Sequence, residues 1–532
     1  MVRYEGWQDI DVYEESAEDA AFTREQLVRM AAAAGISLGA AGTLVDRALG
    51  AVEQRPRRGG RLRVGHVGAG KGESFNPGRG SSFIDASRYY NLYDPLVRVR
   101  PDLSSAPGLA LQWIPNRDST VWLIKLRPDV TFHNGKDFTA DDVIYSLRAM
   151  GDPKHIASSS VAGIRLGGLK KVDNVTVRVP LKSPNARLFD NFNVQNSVIV
   201  PVGLKNFANP IGTGPFSFQS FTPGQRSLCV RNPNYWEEGK PYVEEWEDIS
   251  IDDNTARLNA LLAGKIDMLS QLDPRQARAQ LQRKQIRVLN APSATVQVFL
   301  MAVDIAPFND KRVRQAFRMI PDRQALIDGA LAGFATPGND LPGRNLPFWL
   351  NKPVRKSDPE RARSLLRQAG RDGLEVTLHT SDIVPGFVEA ATLFAQQAKK
   401  AGVTVNVKKE PANAYFDTSL LYTKLDFAQS FWTVTALGQW YPQSLLSKAV
   451  WNETHWRQQS YDRLIQSAIG APNLAVARKR WRQVQEIQYA DGGYIVWANI
   501  NLVDGVGKHV RGMRPSSFFN LGGWNYRDVW LT

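Results

Sequence analysis

The residue pattern closest to a known catalytic motif is a glycine-rich run near the start of the chain. Gly65–Gly72 reads GHVGAGKG and follows a short strand pattern, so it approaches the phosphate loop GxxxxGK[ST] that cradles nucleotide phosphates. Gly72, however, stands where that loop needs a hydroxyl for magnesium. Phe75-Asn76-Pro77 follows where a helix would have to begin. The run therefore indicates a loop and not a nucleotide site.

The sequence contains no convincing pattern for a catalytic nucleophile or a metal site. Gly35–Gly39 matches the pattern GxSxG, but it lies in an apolar stretch with no strand before it. Cys229 is the only cysteine, so it cannot complete a thiolate metal site or an intrachain disulfide. The histidines show no paired ligand spacing; they are His66, His133, His155, His379, His455 and His509. We predict no catalytic residue, no metal site and no cofactor.

The charge of the chain is strongly positive but scattered. The 532 residues contain 66 Lys and Arg against 52 Asp and Glu, a net charge of +14, although residues 1–50 are acidic. A basic protein could attract anionic solutes, lipids or nucleic acid. Most of the basic residues stand singly and no basic, aromatic motif of a nucleic-acid reader is present, so we predict no nucleic-acid partner.

One short segment contains several structural elements in a row. In Val121–Leu126 the residues Trp122, Ile124 and Leu126 alternate with others, which predicts a strand with one buried face. Val130–Phe132 predicts a second strand, followed by a tight turn at His133-Asn134-Gly135-Lys136. Thr139 and Asp142 have capping-box spacing and predict the start of a helix.

This segment resembles the signature of the extracytoplasmic solute-binding proteins of family 5, the dipeptide, oligopeptide, nickel and opine receptors of ABC transporters. Other landmarks of that family recur in the right order: Val172–Val177, Ile211–Phe216, Asn232–Trp236, Val313–Phe317, Asp322-Arg323 and Asp358–Leu366. The resemblance extends from about Gly60 to the end. It implies an α/β fold with two lobes, of the periplasmic-binding-protein class II type, with an inserted extra subdomain.

The resemblance also implies how the chain is divided. Two crossings between the lobes, near Ala294 and Ile495, would form a hinge. The predicted parts are an export signal and leader at 1–52, a linker at 53–60, lobe I at 60–91, 209–293 and 495–532, an inserted subdomain at 92–208, and lobe II at 294–494.

The N-terminal segment predicts export. Met30–Val45 is uncharged, rich in Ala and Gly, and has the size of a signal-peptide core. Thr23–Arg29 resembles a twin-arginine motif in which Glu25 replaces the second arginine. We expect a periplasmic or extracytoplasmic protein, cleaved near residue 50. No cysteine lies near residues 40–60, directly after the leader, so we do not expect a lipoprotein.

The region that we expect to select the ligand is Asp426–Trp440. Dipeptide receptors of the family carry a Trp-x-x-Asp arrangement here, whose carboxylate pairs with the ligand's ammonium group. This chain has Trp432-Thr433-Val434-Thr435, so a hydroxyl replaces the charge. Dipeptide receptors also carry an arginine on the loop that corresponds to His379–Gly386, and this loop has none. Both anchors for a zwitterionic dipeptide are therefore missing.

The remaining candidates are aromatic and neutral-polar side chains. They suit an oligopeptide held by its backbone, an opine-like conjugate or an oligosaccharide; a chelated metal stays open, because nickel-binding relatives need not ligate the metal wholly themselves. The predicted ligand-binding residues are Ser81, Ser82, Phe83, Tyr415, Phe416, Trp432, Thr433, Thr435, Gln439 and Trp440.

The sequence thus predicts a monomeric, non-enzymatic receptor that captures a small organic solute and delivers it to the permease subunits of an ABC transporter. Two alternatives stay open at this point. One is a secreted hydrolase of sugars or peptides, because the many carboxylates would permit a catalytic pair. The other is a chaperone-like binding protein tethered to the membrane by an uncleaved N-terminal helix.

Overall fold

The computed structural model of the chain describes residues 56–68, 70–80, 82–411, 415–416, 419–449 and 451–532. The predicted leader over residues 1–52, the start of the predicted linker and the candidate residue Ser81 lie outside these ranges.

The strands in this part of the chain are β1 (Arg61–His66), β2 (Val97–Val99), β3 (Ser105–Pro107), β4 (Ala110–Pro115), β5 (Val121–Leu126), β6 (Lys170–Asp173), β7 (Thr176–Pro180), β8 (Phe216–Thr222), β9 (Arg226–Arg231), β10 (Glu245–Ser250), β11 (Met268–Leu269), β12 (Arg287–Met301), β13 (Ala335–Pro337), β14 (Glu375–Thr380), β15 (Thr404–Lys409), β16 (Phe427–Trp432), β17 (Tyr494–Val506), β18 (Val510–Arg511) and β19 (Trp530–Leu531).

The helices in the same ranges are α1 (Phe83–Leu92), α2 (Ala140–Met150), α3 (Ser158–Val161), α4 (Asn254–Leu262), α5 (Pro274–Arg283), α6 (Lys311–Met319), α7 (Arg323–Leu331), α8 (Pro359–Gln368), α9 (Phe387–Lys400), α10 (Leu437–Leu445), α11 (Gln459–Ile469), α12 (Leu474–Asp491) and α13 (Asn520–Trp524).

Two long antiparallel strands, β12 and β17, connect the two lobes. The largest sheet has the order β15-β14-β16-β12-β17-β11-β1-β10-β9-β8, with β13 added beside β17. The first half of β12 pairs with the end of β17 next to β11 and β1, and its second half pairs with the start of β17 next to β16. The register shifts between Pro292 and Val296. Such an irregularity interrupts the ladder, so the sheet can bend there. The residue boundaries predicted for the lobes stay a prediction.

A smaller sheet, β4-β5-β7-β6, forms a separate unit with its own core. Trp122, Ile124 and Leu126 of β5 are all buried, which confirms the strand predicted from their alternation. The prediction of a second strand at Val130–Phe132 is wrong, because Thr131 makes only an isolated bridge there. The tight turn after it leaves too little length for a ladder.

The predicted start of α2 is confirmed. Thr139 is its N-cap residue, and the Asp142 carboxylate accepts a hydrogen bond from the Thr139 backbone N–H at 2.9 Å. This bond satisfies a backbone donor that the helix leaves unpaired. Asp142 is fully buried and also accepts from the Val202 N–H at 2.9 Å, so the cap ties α2 to the segment after it.

We expect Gly212→Ala to destabilise the fold. A Cβ at Gly212 would lie 2.0 Å from the Leu92 carbonyl oxygen, and the Gly214 N–H holds that oxygen at 3.0 Å. Because backbone atoms block the new methyl group, the free energy of unfolding should fall by about 1–3 kcal/mol. Urea unfolding would measure it.

Gly163→Ala is the matched control, since a Cβ there meets nothing within 4 Å. Its unfolding free energy should stay within about 0.5 kcal/mol of the parent. Equal stability of the two variants would contradict the close-packing argument.

Candidate functional site

A cavity of about 140 Å³ lies where three separate parts of the chain meet. We call it the cleft cavity. Its walls come from the smaller sheet's unit, from the segment after β16 and from the C-terminal segment. Its lining residues are Val194, Gln195, Thr433, Thr435, Gln439, Trp440, Gln443 and Phe519.

The turn between β16 and α10 places the two threonines at this cavity. β16 pairs with β12 up to Trp432, and the chain then leaves the sheet before α10 begins at Leu437. The Thr435 hydroxyl donates a hydrogen bond to Gln439 Oε1 at 2.9 Å. Because its oxygen is engaged, Gln439 presents its amide N–H groups as donors. Thr433 is exposed.

Trp440 supplies a buried donor at the same place. Its side chain is 2% exposed, and within the described residues its indole N–H has no hydrogen-bond partner. A buried donor left unpaired costs about 1–3 kcal/mol. Trp440 lines the cleft cavity, so an acceptor held there, from a ligand or from water, would remove that cost.

Trp432 lies behind Trp440 and is held by a buried acid. The two indole rings meet edge to face at 5.9 Å. The Trp432 indole N–H donates to Glu453 Oε1 at 2.7 Å, and the Ser430 hydroxyl donates to Glu453 Oε2 at 2.8 Å. Trp432 is thereby fixed as a support for the cavity wall.

Glu453 itself is fully buried, and none of the ion pairs found in the described ranges includes it. Burial raises the pKa of this carboxyl to about 7, although the hydrogen bonds from Trp432 and Ser430 act in the opposite direction. Sequence reasoning gave Glu453 no role. Its position between Trp451 and Trp456 was a visible signal, but nothing in the sequence showed that it packs under Trp432.

Several predicted residues do not line the cleft cavity. Ser82 is the N-cap of α1, with its hydroxyl 2.6 Å from the Asp85 carboxylate, and Phe83 packs 6.0 Å from the Trp524 ring. Phe416 packs edge to face on Phe431 at 5.5 Å.

Tyr415 is placed in the core instead of the cleft. Its side chain is fully buried, and its hydroxyl donates to the Gln429 carbonyl at 2.7 Å. The same oxygen lies 3.1 Å from the His379 carbonyl and 3.1 Å from the Gln429 backbone nitrogen. Because these backbone groups occupy the hydroxyl, Tyr415 has no surface to offer a ligand.

A second cavity of about 350 Å³ continues the cleft cavity, since both include Gln439 and Gln443. Ser159, Lys182 and Asn191 belong to its wall, and Lys182 is the single charged residue in that lining among the described residues. The two cavities together could accept a ligand longer than a single small group.

The facing walls already touch each other near these cavities. The Ala186 N–H donates to the Ala471 carbonyl at 3.1 Å, and the Ser119 hydroxyl donates to the Pro472 carbonyl at 2.9 Å. These contacts join the smaller sheet's unit to the loop between α11 and α12. The two walls are therefore hydrogen-bonded to each other at this place.

In the described ranges, no group of three or more His, Cys, Asp and Glu side chains could hold a metal ion. Among the helices of those same ranges, none is both long enough and apolar enough to cross a membrane.

The family model and the relatives that match this chain are all of solute-binding proteins. The model of the family described as bacterial extracellular solute-binding proteins, family 5 Middle, matches residues 105–453. The glutathione-binding protein GsiB of Pectobacterium atrosepticum is 23% identical over 450 residues, covering 81% of this chain and 88% of that protein. The nickel-binding periplasmic protein of Escherichia coli is 30% identical over 293 residues, covering 52% of this chain and 56% of that protein.

A solved structure supports the fold. The ABC transporter substrate-binding protein CtaP of Listeria monocytogenes superposes with a TM-score of 0.79 at 21% identity, covering 90% of this chain and 100% of that one. The predicted two-lobed α/β fold is confirmed. The family model covers more than half of the chain. The chain therefore belongs to the bacterial extracellular solute-binding proteins of family 5 and is a solute-binding receptor of an ABC importer.

Proposed function

We propose that this receptor binds an uncharged organic solute, without chemical conversion, in the cleft cavity. The observation that carries the proposal is the lining: among the described residues, hydroxyl, amide, indole and apolar groups form it, and no ionised side chain does. An ammonium or carboxylate group enclosed there would lose its hydration without a partner, which costs several kcal/mol. An uncharged peptide or oligosaccharide segment would meet hydrogen-bonding and apolar groups there.

The walls of the cleft cavity come from different parts of the chain, and this explains how a ligand is captured. Thr435 and Gln439 lie on one side and Phe519 and Gln195 on the other, so a ligand contacts all of them only when the lobes are closed. Such a ligand stabilises the closed state by its differential affinity for it. Turning a 1:99 population into 99:1 requires about 5.5 kcal/mol of that difference. The closed receptor then presents the solute to the permease.

We also propose how the receptor leaves the cytoplasm. The degenerate twin-arginine-like segment directs export, cleavage near residue 50 releases the receptor without a lipid anchor, and the receptor acts as a monomer. N-terminal sequencing of the protein from its host should begin near residue 50; a full-length N-terminus would contradict this route.

Calorimetry of the mature protein tests the ligand class. We expect binding of at least one uncharged oligosaccharide or end-blocked oligopeptide and no binding of free dipeptides, because the cavity lacks both charge anchors. Mass analysis of the same samples should show the ligand unchanged. Preferential binding of free dipeptides would contradict the proposal, and product formation would show an enzyme.

Thr435→Asp should create affinity for an ammonium group. The new carboxylate would enter the cleft cavity, so alanyl-alaninamide, which carries an ammonium but no carboxylate, should bind at least tenfold more tightly, or about 1.4 kcal/mol. Calorimetry would measure the change.

Thr435→Asn is the matched control, because asparagine has nearly the same shape as aspartate but carries no charge. It should leave the affinity for alanyl-alaninamide unchanged. An equal gain in the Asn variant would show that shape, and not charge, controls this position.

Glu453→Gln should remove a pH dependence of stability. The folded-state pKa of about 7 lies above the ordinary value of 4.5, so the folded protein favours the protonated acid. The parent should therefore lose stability as pH rises from about 4.5 to 7, by roughly 3 kcal/mol in total from this group. Urea unfolding across this range would measure the slope.

The Gln variant should lack that contribution, whereas Glu360→Gln, at an exposed position on α8, should keep it. Parallel curves for the parent and Glu453→Gln would contradict the buried-acid account.

A further inference from the structure

A cavity larger than either cleft cavity lies elsewhere in the molecule. It is a groove of about 840 Å³ between the β4–β5 hairpin and the C-terminal segment of the chain. It shares no lining residue with the cleft cavity or with the cavity that continues it. We call it the basic groove, because six cationic side chains line it: Arg98, Arg100, Lys125, Arg127, Lys240 and Arg527.

The acids of this groove are already engaged. Asp94 accepts hydrogen bonds from Arg98 at 2.8 Å and from the Trp236 indole N–H at 2.9 Å. Glu237 pairs with Arg98, with Lys240 at 3.0 Å and with Arg527 at 3.0 Å. These two carboxylates are the acidic lining found in the described part of the chain, so they do not neutralise the groove.

Of the six cations, Arg100 donates to the Ser105 carbonyl at 3.2 Å, while Lys125 and Arg127 form no ion pair with a carboxylate of the described residues. The Lys125 ammonium donates to the Thr176 hydroxyl at 2.9 Å, and Arg127 Nε makes one long bond of 3.4 Å to the Gly108 carbonyl. Both side chains are half-buried. Lys125 is in β5 and Arg127 directly follows that strand, so their Cα atoms are about 7 Å apart. The Lys125 side chain reaches toward β7 and that of Arg127 toward Gly108 on the β4 side, and both line the basic groove.

Arg127 is held in place by an aromatic ring. Its guanidinium lies 4.1 Å from the centre of the Trp236 ring, and the Arg98 guanidinium lies 4.6 Å from the same ring. Burial, and then the like charge of Arg98, lower the pKa of Arg127. Within the described residues no hydrogen bond of the Arg127 terminal N–H groups is found, while the guanidinium is held over the Trp236 ring. A guanidinium with free terminal N–H groups can bind an oxyanion through two parallel hydrogen bonds.

From this geometry we propose that the basic groove is a second binding site, which takes a phosphate group through Arg127 and Lys125. A phosphate monoester carries close to two negative charges and three acceptor oxygens, so one group can satisfy both cations. A carboxylate offers one charge and two oxygens in a plane. The groove is much larger than one phosphate, so the group belongs to a phosphorylated small molecule or to a lipid headgroup.

Titration of the leaderless protein with pyrophosphate at low salt tests the site. We expect binding with a Kd below 1 mM that weakens at least fivefold in Lys125→Gln and in Arg127→Gln. Lys125→Gln keeps the test decisive if loss of the Trp236 stack impairs folding of the other variant. Lys265→Gln, at an exposed lysine outside the groove, should bind as the parent does.

Co-sedimentation with vesicles of phosphatidic acid, whose headgroup is a phosphate monoester, against phosphatidylcholine separates the two sources of the phosphate. Pyrophosphate binding that depends on Lys125 and Arg127 supports a soluble ligand. Vesicle binding with the same dependence, without pyrophosphate binding, supports a lipid headgroup. Failure of both probes, or equal weakening by Lys265→Gln, would overturn the proposal.

Discussion

The antiparallel pairing of β12 with β17 is the constraint on which the two-lobed architecture depends. These strands are the only pair that belongs to both halves of the large sheet in the described chain, since β11 flanks one end of the pair and β16 the other. Their ladder shifts register between Pro292 and Val296 and again between Gln297 and Val298, at the junction of the two halves. Each lobe can therefore stay rigid while the junction changes its angle, which a cleft receptor requires.

The same pairing explains the position of the cleft cavity. β16 is hydrogen-bonded to β12 as far as Trp432, so Thr433 is the first residue free of the sheet. The chain then turns into α10, and the Thr435–Gln439 bond fixes that turn. The Trp432 indole N–H donates a hydrogen bond to the buried Glu453 carboxyl, which fixes the Trp432 ring. The polar groups at the cavity thus rest on strand pairing and on one buried acid, and not on a mobile loop.

Local structure could be predicted from the sequence wherever a local pattern decides it. Apolar alternation identified β5, and a capping pair identified the start of α2. Val130–Phe132 failed because its pattern was that of a strand while no partner strand lies beside it. Strand formation depends on a partner that the local sequence does not contain.

Only some of the residues that line the cleft cavity could be predicted from the sequence. The family resemblance puts the strand end before Thr433 at the cleft, and Thr433, Thr435, Gln439 and Trp440 line the cleft cavity; their contact with a ligand stays a prediction. The burial of Tyr415 depends on contacts with strands far from it in sequence. No periodicity encodes such contacts.

Charge is divided between two regions of the molecule. The cleft cavity is neutral, while the basic groove concentrates cations beyond what its carboxylates can balance. A net charge of +14 alone would have suggested an anionic cargo for the cleft. The structure instead separates the positive surface from the cavity, so the overall charge does not indicate the chemistry of the transported solute.

Native mass spectrometry of receptor purified from its host, followed by identification of the released molecule, can show whether an uncharged solute is enclosed between the lobes. We expect a co-purified molecule with no ionised group in the enclosed segment. Release of a free dipeptide or of a charged metal complex from the cleft would contradict it.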